Sequence, residues 1–439
     1  MRVGAVAMAV SLVSVMAACS NDSASDGDQS GNAGGSEDST TIRFSWWGSD
    51  TRAQMQQEAI DVCTGKIPGL TVEAESTNYD SFMTKLSTQA AADDLPDVFT
   101  FIDPFGYDYM ENGQLADLSE FSDVLDLSEF PEDTFADVLG ENGEKLGVSS
   151  GVSGHGVVID PTLFEEYGVE IPDDTKWTWD DFAKVSKEIT EKSDGKVKGW
   201  FPEIVEQFPK AWLRQHGEEF GMLKEDQATA ATVETMTSYW EMVKSLVDSG
   251  ATVTPEKAQE FQAAGSPAEQ APVAVGEAAI SGISMNQLGQ YEDTAGHALQ
   301  PMLWPGETEF KDHGGWTKQG TYFGIAASSD KKEKSAEFIN CLVNDSEVAK
   351  IMGLDRGVPA NTRLADELAE GLTDGDARFA EWIKRSQEAN TQPFYRLNTG
   401  VSMVLTQEFQ SANESVLFGQ ATPEEAAKTF IDNLNAAAD

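Results

Sequence analysis

Two adjacent indoles open the chemistry available to this chain. FSWWGSD at 44–50 places Trp46 and Trp47 before a small polar loop that carries Asp50, with Arg52 just beyond. FIDPFGYDY at 101–109 sets Asp103 beside Phe105 and Tyr107. GWFPEIVEQFPKAWLRQHG concentrates Trp200, Phe201, Phe208 and Trp212; SMNQ supplies Met285, Asn286 and Gln287; Trp304, Trp316, Arg356, Tyr395 and Asn398 follow, and His155 stands alone among glycines. Flat aromatic surface stacks on the C–H face of a sugar ring, while carboxylates and amides pair with the hydroxyls of its rim. These types in these stretches point to capture of a polyhydroxylated ring.

Bond-breaking chemistry has weaker support. Glycoside hydrolysis needs two carboxylates roughly 5 to 9 Å apart, but with 75 acidic residues some such pair can always be drawn. No GxSxG elbow, HExxH helix or GxxxxGK[ST] loop occurs, and His155, His216, His297 and His313 lack metal-ligand spacing. No cofactor is expected, and the chain reads as a binding protein, with a secreted glycoside hydrolase as the less favoured alternative.

The elements that would position these side chains alternate. TIRFSWW reads as a strand, TRAQMQQEAIDVCTGK as a helix, GLTVEAES as a strand, YDSFMTKLSTQAAADD as a helix and LPDVFTFID as a third strand. That order is the signature of an open, mostly parallel α/β sheet with helices on both faces. Ligands bind such sheets beyond the carboxyl ends of the strands, where Trp46, Trp47, Asp50, Asp103 and Phe105 fall. Consecutive strand residues face opposite ways, so one of Trp46 and Trp47 belongs to the core and the other is the stacking candidate.

Length and charge bound the rest. A chain of 439 residues exceeds one ordinary core, so two lobes are the default. The formal net charge of −45 makes nucleic acid or an anionic membrane surface a poor partner, and the scattered acids read as a solubilising surface. Residues 1–18 carry Arg2, then an apolar run too short to span a bilayer, then small residues, which is a secretory signal. MAAC at 16–19 resembles a bacterial lipobox, making Cys19 the lipidation candidate, with Met16 where leucine is usual. Residues 20–40 hold no large apolar side chain; together with Cys19 they read as a flexible tether reaching some tens of ångströms.

Beyond these general features, FSWWGSD, LPDVFTFID and VIDPTLFEEYGVEIPDDTKWTWDDFAKVSKEI together resemble the solute-binding lipoproteins of carbohydrate ABC importers, the family that includes maltodextrin-binding proteins. GEAAISGISMNQLGQY, YFGIAASSDKKEKSAEFINCLVNDSEVAKIMGLDRGVPAN and TPEEAAKTFIDNLN extend the likeness from about residue 42 to the end, with RGVPAN its most specific piece. GVVIDPTLF departs from it, since relatives often have Tyr-Asn-Lys before the short helix.

The resemblance implies a two-lobed periplasmic-binding-protein-like fold of type II, with a ligand cleft and a hinge of about three crossings, near 149–154, 321–324 and Asn361. Lobe 1 is expected from 41–152 plus 322–361, and lobe 2 from 153–321 plus 362–439. The resemblance also places Trp46 or Trp47, Asp103, Asn286 and Gln287 in ligand-contacting loops; Arg356 is a candidate for a salt bridge at the third crossing. Cys63 and Cys341 sit on helices assigned to the first lobe, and both a disulfide and two buried thiols fit that placement. The implied function is capture of an oligosaccharide by a lipid-anchored monomer outside the cell membrane and delivery to a permease driven by a cytoplasmic ATPase. A non-sugar solute such as a polyamine, or a sensor-linked binding protein, are the alternatives within the same fold.

Overall fold

The computed structural model describes residues 39–102, 106–202, 206–221, 229–263, 268–372, 374–389 and 399–438. Cys19, Asp103, Phe105, Tyr395 and Asn398 lie outside the described residues. Ten strands are described: β1 Thr40–Trp47, β2 Leu70–Thr77, β3 Val98–Phe101, β4 Val148–Ser149, β5 Val152–Ile159, β6 Lys198–Trp200, β7 Ala278–Ser284, β8 Gln300–Met302, β9 Thr317–Gln319 and β10 Tyr322–Ile325. They form two sheets.

The first sheet runs β2-β1-β3-β10-β4. Its first three strands are parallel, as the strand-helix alternation predicts, while β10 pairs antiparallel with both β3 and β4. The intervening helices have clear starts. Ser49 caps Asp50–Lys66 by accepting from the Arg52 N–H, and Asn78 caps Tyr79–Ala91 by accepting from Ser81. Ile42, Phe44 and Trp46 turn one face of β1 into a core shared with Phe99, Phe323 and Phe338.

The second sheet runs β6-β7-β5-β8, and β9 pairs with the start of β5. Here only β6 and β7 are parallel; β5 is antiparallel to β7, β8 and β9. The helix Trp179–Lys192 begins at a capping box in which Thr178 and Asp181 satisfy each other's backbone N–H. Its Phe182 enters a separate core with Trp200, Phe208, Trp240 and Trp304.

Backbone passes from the first sheet to the second between β4 and β5, and returns between β9 and β10, close to the first two expected crossings. The third differs. Asn361 caps the helix Thr362–Ala369, and that helix stays with the first half: the Asn361 amide donates to Val343 and Asn344, and Arg363 to the Asn344 carbonyl. The chain moves to the second sheet only in the helix Asp374–Ala389, whose Trp382 indole donates to the Met302 carbonyl of β8. Asn361 is here the cap of one more first-half helix. No described helix is long and apolar enough to cross a membrane.

Cys63 and Cys341 are disulfide-bonded, which resolves the two readings the sequence allowed. The bond joins the helix Asp50–Lys66 to the helix Lys332–Asn344 across 278 residues of sequence. Closing so long a loop restricts the unfolded chain, so reduction or Cys63→Ser is expected to remove about 3–5 kcal/mol from the unfolding free energy. Guanidinium denaturation with and without a thiol reductant measures this directly.

Candidate functional site

Strand β1 delivers its last residue, Trp47, to the edge of a cavity of about 260 Å³ between the two sheets. The first half also contributes Arg52, Ile102, Asp355 and Arg356; the second contributes Ser153, Gly154, His155, Gln207, Ser284, Asn286, Trp316, Lys318 and Gln319, with Gly320 and Thr321 from the return crossing. The wall is mainly polar, with hydroxyl, amide, imidazole and guanidinium groups around two indoles.

The alternation of β1 separates the paired tryptophans. Trp46 is 2% exposed and stacks on Phe44 at 4.9 Å between ring centres, so it is a core residue. Trp47 is 9% exposed and packs against Tyr79 and Phe82, and the Arg356 guanidinium lies 5.1 Å from its ring centre. A cation over an indole face is held by the ring quadrupole. Arg356 also donates to the Trp47 carbonyl and to the Thr321 hydroxyl.

Asp355 organises the first-half wall. Arg52 reaches it with two nitrogens, Nη2 lying 3.1 Å from Oδ1, although 303 residues separate the pair. The Asn286 amide crosses from the other sheet, donating to the Asp355 carbonyl at 3.3 Å and accepting from the Ser153 hydroxyl at 3.2 Å. His155 stands opposite Ser284 in the β5–β7 register, its Nδ1 3.5 Å from the hydroxyl. Burial, aided by repulsion from Arg52 and opposed by Asp355, pulls the Arg356 guanidinium down to about 9.

Several residues singled out in the sequence lie elsewhere. Phe208 is fully buried, with Trp200 and Trp304 at 5.2 and 5.0 Å between ring centres; it is core because the helix Gln207–Gln215 turns it inward while Gln207, one residue earlier, meets the cavity. Trp212 lies on the same helix against Trp179 and His216, its indole donating to Ser238, and does not line the cavity. The dense aromatic stretch is thus the second core. Asp50 is exposed at the start of its helix, and Gln287 is half-buried in the turn Met285–Gln287; neither reaches the cavity.

Trp316 does line the cavity, but it is only 2% exposed, stacked on Trp304 at 5.7 Å with the Lys210 ammonium over its ring. It therefore presents little ring surface as a platform. Ser153, Gln207, Ser284, Lys318, Gln319, Thr321 and Asp355 were not anticipated as cavity residues. Ser153, Lys318, Gln319 and Thr321 lie near the crossings, Gln207 and Ser284 inside the aromatic and SMNQ stretches, and Asp355 beside RGVPAN.

A family model described as bacterial extracellular solute-binding protein matches residues 58–385. Solved structures share the fold. A periplasmic solute-binding protein from Pectobacterium atrosepticum superposes with a TM-score of 0.77 at 22% identity, covering 90% of this chain and 98% of its own. A periplasmic oligogalacturonide-binding protein from Yersinia enterocolitica, in complex with saturated digalacturonic acid, gives 0.76 at 22% identity over 91% and 100%. An ABC substrate-binding protein from Listeria monocytogenes, in complex with cycloalternan, gives 0.73 at 22% identity over 91% and 99%. With a two-sheet fold, a polar cavity between the sheets and a family match over most of its length, the chain belongs to the bacterial extracellular solute-binding protein family.

Proposed function

We propose that the protein captures an oligosaccharide in the cavity between its two sheets and hands it to an ABC permease. The observation that carries this reading is the composition of the cavity wall: planar hydrogen-bonding groups from both halves, Asn286, Gln207, Gln319 and His155 among them, around Trp47. Such groups match a ring with many hydroxyls. The oligosaccharides named with the Yersinia and Listeria proteins fit the same chemistry.

Ligand spanning both walls would favour a closed arrangement through its differential affinity for that state. The Asn286 contact with the Asp355 carbonyl is suited to stabilise closure, because it joins the second sheet's loop to the first half's wall. We draw the lobes at 41–151 with 321–369, and 152–320 with 374–438. In this reading Cys19 carries the lipid anchor, the protein acts as a monomer at the outer face of the membrane, and it catalyses no reaction. A cationic amine is disfavoured, because Asp355 is the one acidic residue among the described residues that line the cavity.

A thermal-shift panel of oligosaccharides, monosaccharides and polyamines tests the reading, with the recovered ligand checked for chemical change. An oligosaccharide that raises Tm with 1:1 stoichiometry and returns intact is expected; a consumed sugar, or stabilisation by amines alone, overturns it. Two variants test the cavity wall and the second core. Trp47→Ala is expected to weaken the best ligand about tenfold or more by loss of ring contact. Phe208→Ala, in the core, is expected to lower stability by about 3–5 kcal/mol while the surviving folded fraction binds with near-native affinity, measured by calorimetry beside urea unfolding.

A further inference from the structure

The chain as a whole is strongly acidic, with 30 basic and 75 acidic residues, yet the described residues that line its cavity are not. Among the described residues that line it, Arg52, Lys318 and Arg356 are basic and Asp355 alone is acidic. Among these described residues the ratio is inverted.

The inversion is sharpest on the first-half wall. Arg52 takes both carboxylate oxygens of Asp355, and the Arg356 Nε lies 3.9 Å from the same carboxylate. Among the described residues, two guanidinium groups therefore share one counter-charge. Arg356 is 7% exposed, and its Nε has no hydrogen-bond partner among the described residues. Its Nη atoms serve the Trp47 carbonyl and the Thr321 hydroxyl, which are neutral acceptors. A buried cation without its own anion is expensive, and a neutral ligand entering the cavity would displace more of its water without supplying one.

We propose that the cavity recognises a sugar bearing an anionic oxygen group, carboxylate or phosphate, which is met by Arg52 and Arg356 beside Asp355. This rests on the capture reading above and narrows its cargo. A guanidinium fork matches the paired oxygens of such a group, whereas an ammonium binds as a point charge. Ser153, Gln207, Asn286 and Gln319 remain for the hydroxyls of the same ligand. A role for Arg356 confined to bracing the crossings accounts for its Trp47 and Thr321 bonds, but not for a second arginine on the same carboxylate.

Calorimetric titration of the full chain with uronic-acid disaccharides, each beside its methyl ester, and with glucose 6-phosphate beside glucose, tests the proposal. The acid is expected to bind about tenfold tighter than its neutral twin, with the gap narrowing in about 0.5 M salt. Preference for the uronate pair or for the phosphate pair identifies the source of the anion. Arg52→Gln is expected to collapse the acid-to-neutral ratio and Asp355→Asn to raise it. Both variants break the same ion pair, so a purely structural role would move the ratio alike in both, and that result overturns the proposal. Binding of neutral sugars alone also overturns it while leaving oligosaccharide capture standing; absence of binding by either class removes both readings.

Discussion

Val152 and Val358 exchange backbone hydrogen bonds of 2.6 and 2.9 Å, and around that short antiparallel bridge three stretches of chain meet. Ser150 donates to the Thr321 carbonyl, and the Gly320 N–H donates to the Gly151 carbonyl at 2.7 Å. A Cβ on Gly320 would lie 2.4 Å from the Arg356 carbonyl oxygen, and one on Gly151 would lie 2.9 Å from two carbonyl oxygens. The backbones are therefore packed too closely for side chains. The first two passages between the halves run through this junction, and the cavity opens directly beside it. Arg356 belongs to both, bracing Trp47 and Thr321 while lining the space where ligand would enter.

This arrangement explains how much the sequence disclosed. Local rules carried the first three strands and their helices, because β1, β2 and β3 follow one another and pair in parallel with ordinary caps between them. Gly151 and Gly320 stand at the first two passages, where close backbone approach leaves no room for a side chain. The resemblance put the third crossing near Asn361, which instead caps a helix that stays with the first half. The antiparallel partners of β5 come from residues more than a hundred positions away, and strand direction across such a gap leaves no local trace.

The candidate site was legible by type more than by position. Trp47, His155, Asn286 and Trp316 do line the cavity, whereas Phe208 and Trp212 belong to a helix that spends its aromatic face on the second core. Aromatic density alone cannot distinguish a core from a cleft, since both demand large flat side chains. The Arg52–Asp355 pair was invisible for a different reason: its partners are 303 residues apart and become neighbours only because the chain returns to its first sheet near the end.

That return also gives the disulfide a topological meaning. Cys63 precedes, and Cys341 follows, every strand of the second sheet, so the bond closes a covalent ring that contains the whole second sheet together with β2, β3, β4 and β10 of the first. A single backbone cut between residues 63 and 341 would open the loop without separating the pieces, which stay tied until the bond is reduced. In an oxidising setting outside the cell, proteolytic nicking of the second sheet's loops would thus leave one particle where two fragments would otherwise drift apart.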